Sequence, residues 1–342
     1  MSSVVEFFCI SSCAKAAVLP EAVALQRRRP GVVLICLAVL AAAVVVAFLT
    51  VGARGRWDFV LAFRGTKLAA IVLVGVAVAV AAVMFQTIVQ NRILTPSIMG
   101  FDALYSLIQT SVVFFIGARG LGFGDPRLAF AIDVCAMIGF ALLLYGGLLA
   151  DRRRSLHMML LVGVVMAALF RSCASFMERL IDPNDFVVLQ DRLFANFNTV
   201  RSELLLPAAL VVLVALVAAW RLLPRLDVML LGRDAAIGLG VDHRRLVIQV
   251  LALVAILTSV STALVGPITF LGLLVANFAY VIVPGFRHIH VIPAAALIAI
   301  ITLVGGQLVL ERVFALNAAL PMVIEFAGGV VLIALLIRSS KR

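Results

Sequence analysis

The sequence predicts an all-α, polytopic membrane bundle of about ten transmembrane helices. Three observations carry that expectation. The first is composition: of the 342 residues, 64% are hydrophobic and 13% charged, with a mean hydropathy of +1.20. An average soluble domain has about 45–50% apolar and about 25% charged residues. Such an excess leaves too little polar surface to face water, so lipid is the solvent for most of the chain. The second is a succession of apolar runs, each close to the roughly 20 residues a helix needs to cross the hydrocarbon core. The third is their internal pattern. Period-two alternation is missing from them, and an open sheet cannot span lipid, so the runs are helices.

Taken in order, the expected spans lie near 31–51, 67–89, 98–117, 128–150, 157–177, 203–223, 246–265, 267–283, 291–310 and 321–338. Gly and Ala scattered through them let neighbouring helices approach closely. Residues 1–30 read as a cytoplasmic N-terminal extension, and 31–342 as the transmembrane domain. The apolar stretch in the extension is broken by Cys, Ser and Lys, and Arg27-Arg28-Arg29 follows it. That order fits a cytoplasmic anchor rather than a cleaved signal. With both termini inside, the inner segments are 1–30, 90–97, 151–156, 224–245, 284–290 and 339–342. These hold the larger share of the Lys and Arg, as a positive-inside bias requires.

The formal net charge of +11 does not signal nucleic-acid binding, because the basic residues sit in short clusters between apolar runs and not along one soluble face. Cys9, Cys13, Cys36, Cys135 and Cys173 form neither a CxxC pair nor a zinc-type spacing. His288 and His290 sit in an inner turn with no carboxylate or cysteine beside them, a poor metal site, and His157 and His243 look like solvated boundary residues. No metal site is expected. No nucleophile–histidine–acid order or zinc-protease motif stands out, so the chain is not expected to be an enzyme. A P-loop is absent too. Any ATP used on its behalf is hydrolysed elsewhere.

Two connections are long. Residues 178–202, placed outside, carry the polar stretch from Glu178 to Phe186. Residues 224–245, placed inside, are charged and punctuated by glycine. Long loops in a compact bundle tend to be functional. The inner one reads as a short amphipathic helix, with Leu226, Met229, Leu230, Ala236 and Leu239 able to face the bundle and Arg233 and Asp234 facing out. Gly232, Gly238 and Gly240 allow sharp turns and close backbone approach.

Three segments resemble the permease family of iron–siderophore and cobalamin ABC importers, the FecCD type. Arg64-Gly65-Thr66-Lys67, before a small-residue helix ending Phe85-Gln86, is similar to the family's R-x-P-R segment. Asn91-Arg92-Ile93-Leu94-Thr95-Pro96-Ser97-Ile98-Met99-Gly100 resembles its N-P-L-A-D-P-x-x-L-G turn, keeping Asn91, Pro96 and Gly100. The most specific match runs from Leu231-Gly232-Arg233-Asp234 through Ala236, Gly238, Leu239 and Gly240, and continues in Gly266-Pro267-Ile268-Thr269-Phe270-Leu271-Gly272. Leu320-Pro321 fits as well. Ala276-Asn277 stands where most of the family has Pro-His, and Ala319 where an acidic residue usually precedes Leu-Pro.

The resemblance implies a permease subunit in a bacterial inner membrane, translocating a ferric siderophore of the catecholate or mixed type. Cobalamin or haem is the alternative cargo within the family, and an ion-coupled secondary transporter the alternative outside it. It also implies three partners: a second permease, an ABC ATPase dimer that uses ATP and Mg, and a periplasmic substrate-binding protein. This chain itself would bind no cofactor.

The resemblance assigns roles to residues. Leu231, Gly232, Arg233, Asp234, Ala236, Gly238, Leu239 and Gly240 form the segment that couples to the ATPase. Arg64, Lys67 and Arg312 receive acidic side chains of the binding protein, or else snorkel to headgroups. Charged and polar groups inside the bilayer are candidates in their own right, because a charge there is costly. Arg171 either faces a water-filled path or pairs with an acidic neighbour. Gln86 and Asn277 join it as possible path residues, and with Gln307 as interhelical hydrogen-bond partners. Asp133 and Glu325 read mainly as interface-level residues.

Overall fold

The computed structural model describes residues 30–51, 57–117, 125–150, 156–198, 200–312 and 328–330, with side chains outside 57–63, 145–150 and 156–157. In chain order the helices are α1 (Pro30–Thr50), α2 (Trp57–Val89), α3 (Phe101–Ile116), α4 (Pro126–Ala150), α5 (Leu156–Glu178), α6 (Pro183–Leu193), α7 (Ser202–Met229), α8 (Arg233–Gly238), α9 (His243–Val265), α10 (Leu271–Ile282) and α11 (His288–Arg312). No strand occurs among the described residues. Among the described residues seven helices are long and apolar enough to cross a membrane, and α3 and α10 are shorter apolar helices. Nine of the ten expected spans thus coincide with a helix. The tenth, 321–338, lies outside the described residues except for 328–330, which are helical.

Small residues decide what sits in the middle. α2 packs against α7, α9, α10 and α11. Its Ala70, Ala77, Ala79, Ala81 and Ala82 are buried, so backbones rather than long side chains meet there. α9 is equally enclosed, while α1 packs on α11 at the periphery. A Cβ on Gly272 of α10 would lie 3.0 Å from the Ala82 Cβ. Gly272→Leu is therefore expected to force α2 and α10 apart, at about 1–3 kcal/mol, and to lower the unfolding temperature in detergent. Gly139→Leu, with nothing within 4 Å of its Cβ, should leave that temperature unchanged.

Helix ends differ from expectation where polar or special residues fix them. α2 starts ten residues earlier than the expected 67, carrying Arg64 and Lys67 within its length. α3 begins only at Phe101, because Gly100 takes a left-handed conformation (φ 94°) after a 3-10 turn over Pro96–Met99. α10 begins at Leu271, after Gly266 (φ 105°). α7 runs through Pro224 to Met229, so the first residues of the inner connection are helical. A mid-helix proline forfeits one hydrogen bond, and burial of Leu222, Leu223, Leu226 and Met229 holds the helix together past it. The outer connection contains α6, whose first turn is capped by the Asp182 carboxylate accepting from the Asn184 N–H at 2.9 Å.

Candidate functional site

The candidate site residues fall into three groups, two of them at opposite ends of the bundle. The first is α8 and its flanks. Gly232 caps the helix with φ 97°. At the other end Gly240 (φ 84°) closes a Schellman turn: the Val241 N–H reaches the Ala236 carbonyl and the Gly240 N–H the Ile237 carbonyl, both at 3.0 Å. A left-handed residue at each end explains both glycines. Gly238 has no such conformation, and a Cβ there would meet nothing within 4 Å.

Ala236 is fully buried against the bundle, as are Leu226 and Met229. Leu230 and Leu239, expected to face inward, are exposed, and so are Leu231 and Ile237. A six-residue helix has one inward face of about one residue per turn, and Ala236 uses it. Four large apolar side chains, Leu230, Leu231, Ile237 and Leu239, are left at the surface with Arg233 and Asp234.

The second group lies at the opposite end. Arg64 donates through Nη1 to the carbonyls of Phe48 (2.7 Å), Leu49 (3.3 Å) and Val51 (3.0 Å), at the end of α1. Arg312 donates to the Val51 carbonyl as well. Two guanidiniums therefore satisfy the terminal carbonyls of α1, where a cation is favoured by the helix dipole. Lys67 is 7% exposed and pairs with Glu311 of α11 at 2.6 Å. Gln307 Nε2 donates to the same Glu311 oxygen at 3.1 Å and to Asn198 Oδ1 at 3.3 Å. Of the three predicted docking residues, Arg312 is exposed, Arg64 half-buried and Lys67 turned into the protein.

The polar residues between the ends do not form one lining. Gln86 and Asn277 meet: both donate to the Arg92 carbonyl, at 2.9 and 3.1 Å, and Asn277 also to the Leu273 carbonyl at 2.8 Å. They bolt the 90–95 turn to α2 and α10. The motif residues of that turn have local reasons too. Asn91 Oδ1 accepts from the Ile93 N–H at 2.9 Å, and Pro96 opens the 3-10 turn. Gly163 of α5 lets Met99 pass, since a Cβ on it would lie 3.1 Å from the Met99 Cα. Likewise a Cβ on Gly266 would lie 3.0 Å from the Ala195 Cα.

These segments surround an interior cavity of about 20 Å³, walled in part by Thr95, Ser97, Ser261, Thr262 and Thr269. Such a volume holds about one water molecule. Asp133 accepts from Gln109 of α3 at 2.9 Å, inside the bundle. Glu325, Ala319 and Leu320-Pro321 lie outside the described residues.

Arg171 stands apart. It is exposed on α5, and with Ser172, Ser175, Phe176 and Arg179 it lines an open depression of about 390 Å³.

One cluster went unrecognised in the sequence. His288, expected in an inner turn with no carboxylate beside it, is the fully buried first residue of α11. Its ring lies 2.6 Å from Asp227 Oδ1 through Nδ1 and 2.8 Å from Thr87 Oγ1 through Nε2. A helix passing through Pro224 was the missing signal, since it is what brings Asp227 into the bundle.

A bundle of long apolar helices with a short exposed helix between two of them defines a polytopic membrane protein. The chain belongs to the FecCD transport family, whose model matches residues 31–338. It is 47% identical over 287 residues to the petrobactin import system permease protein YclO of Bacillus subtilis, covering 84% of this chain and 91% of that one. It is 36% identical over 278 residues to the petrobactin import system permease protein FatC of Bacillus anthracis, covering 80% and 78%. Among solved structures it is similar to a chain described as an inward-facing conformation of a metal-chelate type ABC transporter, with a TM-score of 0.79 at 21% identity, over 90% of this chain and 99% of that one.

Proposed function

We propose that this chain is the membrane-spanning permease subunit of an ATP-binding-cassette importer that carries a ferric siderophore of the catecholate or mixed type across the plasma membrane. The observation that carries this reading is α8. Leu231, Ile237 and Leu239 are exposed beside Arg233 and Asp234 on a helix held by two left-handed glycines. An apolar knob with a charged rim suits insertion into a cleft of a separate ATPase subunit. The relatives named for petrobactin import support the cargo class.

A cavity with room for about one water cannot admit a ferric chelate. On this reading the path runs along an outer face of this chain and is closed by a second permease. The α5 face with Arg171 and Arg179 is the best candidate, because arginines exposed to hydrocarbon are costly and a positive depression of about 390 Å³ suits an anionic aromatic ligand. At the opposite end from α8, exposed Arg312 and half-buried Arg64 would meet acidic residues of a substrate-binding protein, while Lys67 serves the α2–α11 junction.

Uptake of radioactive iron in a strain lacking the gene tests the cargo. Restoring the gene is expected to rescue uptake of catecholate-bearing ferric chelates. Rescue of labelled cobalamin alone would overturn the assignment. Arg171→Glu is expected to lower chelate uptake at least about tenfold, a loss of about 1.4 kcal/mol, with Arg171→Lys near wild type. Equal uptake by both variants would remove Arg171 from the path.

A further inference from the structure

The His288 cluster lies where the coupling end of α7 meets α2 and α11. Asp227 sits two residues before the end of α7, and the chain leaves from there for α8. One carboxylate oxygen, Oδ1, accepts from both the backbone N–H (2.8 Å) and Nδ1 (2.6 Å) of His288. The other ring nitrogen reaches Thr87 of α2 at 2.8 Å. Thr87 Oγ1 also donates to the Val83 carbonyl of its own helix at 2.8 Å, and the Arg92 guanidinium lies 4.6 Å over the ring of Tyr280 of α10. Gln90, held at φ 54°, donates to the Met229 carbonyl at 3.2 Å. One imidazole thus ties α7 to α2 and α11.

Two prolines give this cluster mechanical meaning. Pro224 lies three residues before Asp227, and Pro293 five residues after His288, each inside its helix. A proline removes one backbone hydrogen bond and makes the preceding turn a natural kink point. The last turn of α7 and the first turn of α11 are therefore short levers, each hinged at a proline, and the His288–Asp227 pair joins their free ends. The order Thr87, His288, Asp227 resembles a hydrolytic triad, but Thr87 is 2% exposed and His288 0%, so no substrate reaches it.

We propose that His288 is the positioning residue of a coupling joint. A displacement of α8 pulls the last turn of α7, and the imidazole passes that pull to α11 through Asp227 and to α2 through Thr87. The inference rests on the reading of α8 as the ATPase contact. Burial alone makes such a cluster rigid. The joint adds that this rigidity transmits force, so breaking it uncouples hydrolysis from transport without dismantling the complex.

The test uses the importer reconstituted in proteoliposomes with its second permease, ATPase and binding protein. It reads basal ATP hydrolysis, its stimulation by loaded binding protein, and chelate moved per ATP. Thr87→Val keeps the shape of the side chain and loses the hydroxyl, and Thr87→Ser keeps the hydroxyl. His288→Asn retains a donor towards Asp227 and loses the reach to Thr87. Thr87→Val and His288→Asn are expected to assemble and to hydrolyse ATP at the basal rate, with chelate moved per ATP reduced at least about fivefold, the lower end of ordinary coupling energies. Thr87→Ser should stay near wild type.

An unchanged ratio in Thr87→Val, identical behaviour of Thr87→Val and Thr87→Ser, or failure of Thr87→Val to assemble would each overturn the joint. Gly238→Trp serves as the separate control. If it keeps full stimulation and full transport, the ATPase reading of α8 fails instead.

Discussion

Gly238→Trp is expected to abolish chelate uptake while the protein stays in the membrane at its normal amount. The expectation follows from where Gly238 sits. It closes the exposed face of α8, and a Cβ there meets nothing within 4 Å, so the indole is accommodated by this chain without strain. Gly232 is a poorer probe, because its φ of 97° disfavours any side chain and a loss there mixes folding with docking. Under the proposed docking of α8 into an ATPase cleft, an indole on Gly238 would occupy space that the cleft needs. Packing at interface cores is as dense as in protein interiors, so one large side chain excludes the contact. Membrane level by immunoblot, pull-down of the ATPase and iron uptake together check it. Normal ATPase pull-down and uptake in this variant would remove α8 from the coupling role.

Glu311→Ala is the second large effect, and it acts on stability. Removing the carboxylate takes away the 2.6 Å ion-pair contact to the Lys67 ammonium, at a place where the lysine is 7% and the glutamate 16% exposed. Breaking a buried ion pair from one side costs about 3–5 kcal/mol, because the remaining charge stays desolvated. Gln307 loses an acceptor at the same time. A lowered melting temperature in detergent is expected. The double variant Lys67→Met with Glu311→Leu should recover most of the loss, since an apolar pair of similar volume avoids the desolvation. Equal melting temperatures for the wild type and the single variant would show the pair to be solvated and of little weight.

The spans were legible because lipid allows little variation: apolar runs of helical length mark them, and nine of ten coincide with described helices. Their ends were not. The start of α2 hides among Asp58, Arg64 and Lys67, which look like loop residues until α1 offers its carbonyls and α11 offers Glu311. Pro224 reads as a terminator, yet buried neighbours on both sides carry the helix past it.

The α8 segment was legible in its glycines, since a left-handed residue at each end leaves a trace in sequence. The facing of Leu230 and Leu239 left none, because six residues are too few to set a face by periodicity. The His288 cluster was out of reach altogether. Thr87, Asp227 and His288 come from three separate helices far apart in sequence, and only packing brings them together.

The central claim is that this permease is driven by ATP hydrolysed on a partner. Its most direct test is accumulation of a radiolabelled ferric catecholate chelate in proteoliposomes holding the complete importer, with loaded binding protein on one side and ATP on the other. The account predicts accumulation that needs ATP, survives ionophores that collapse proton and sodium gradients, and vanishes with Gly238→Trp. Accumulation that proceeds without ATP and stops when the ion gradients collapse would contradict it.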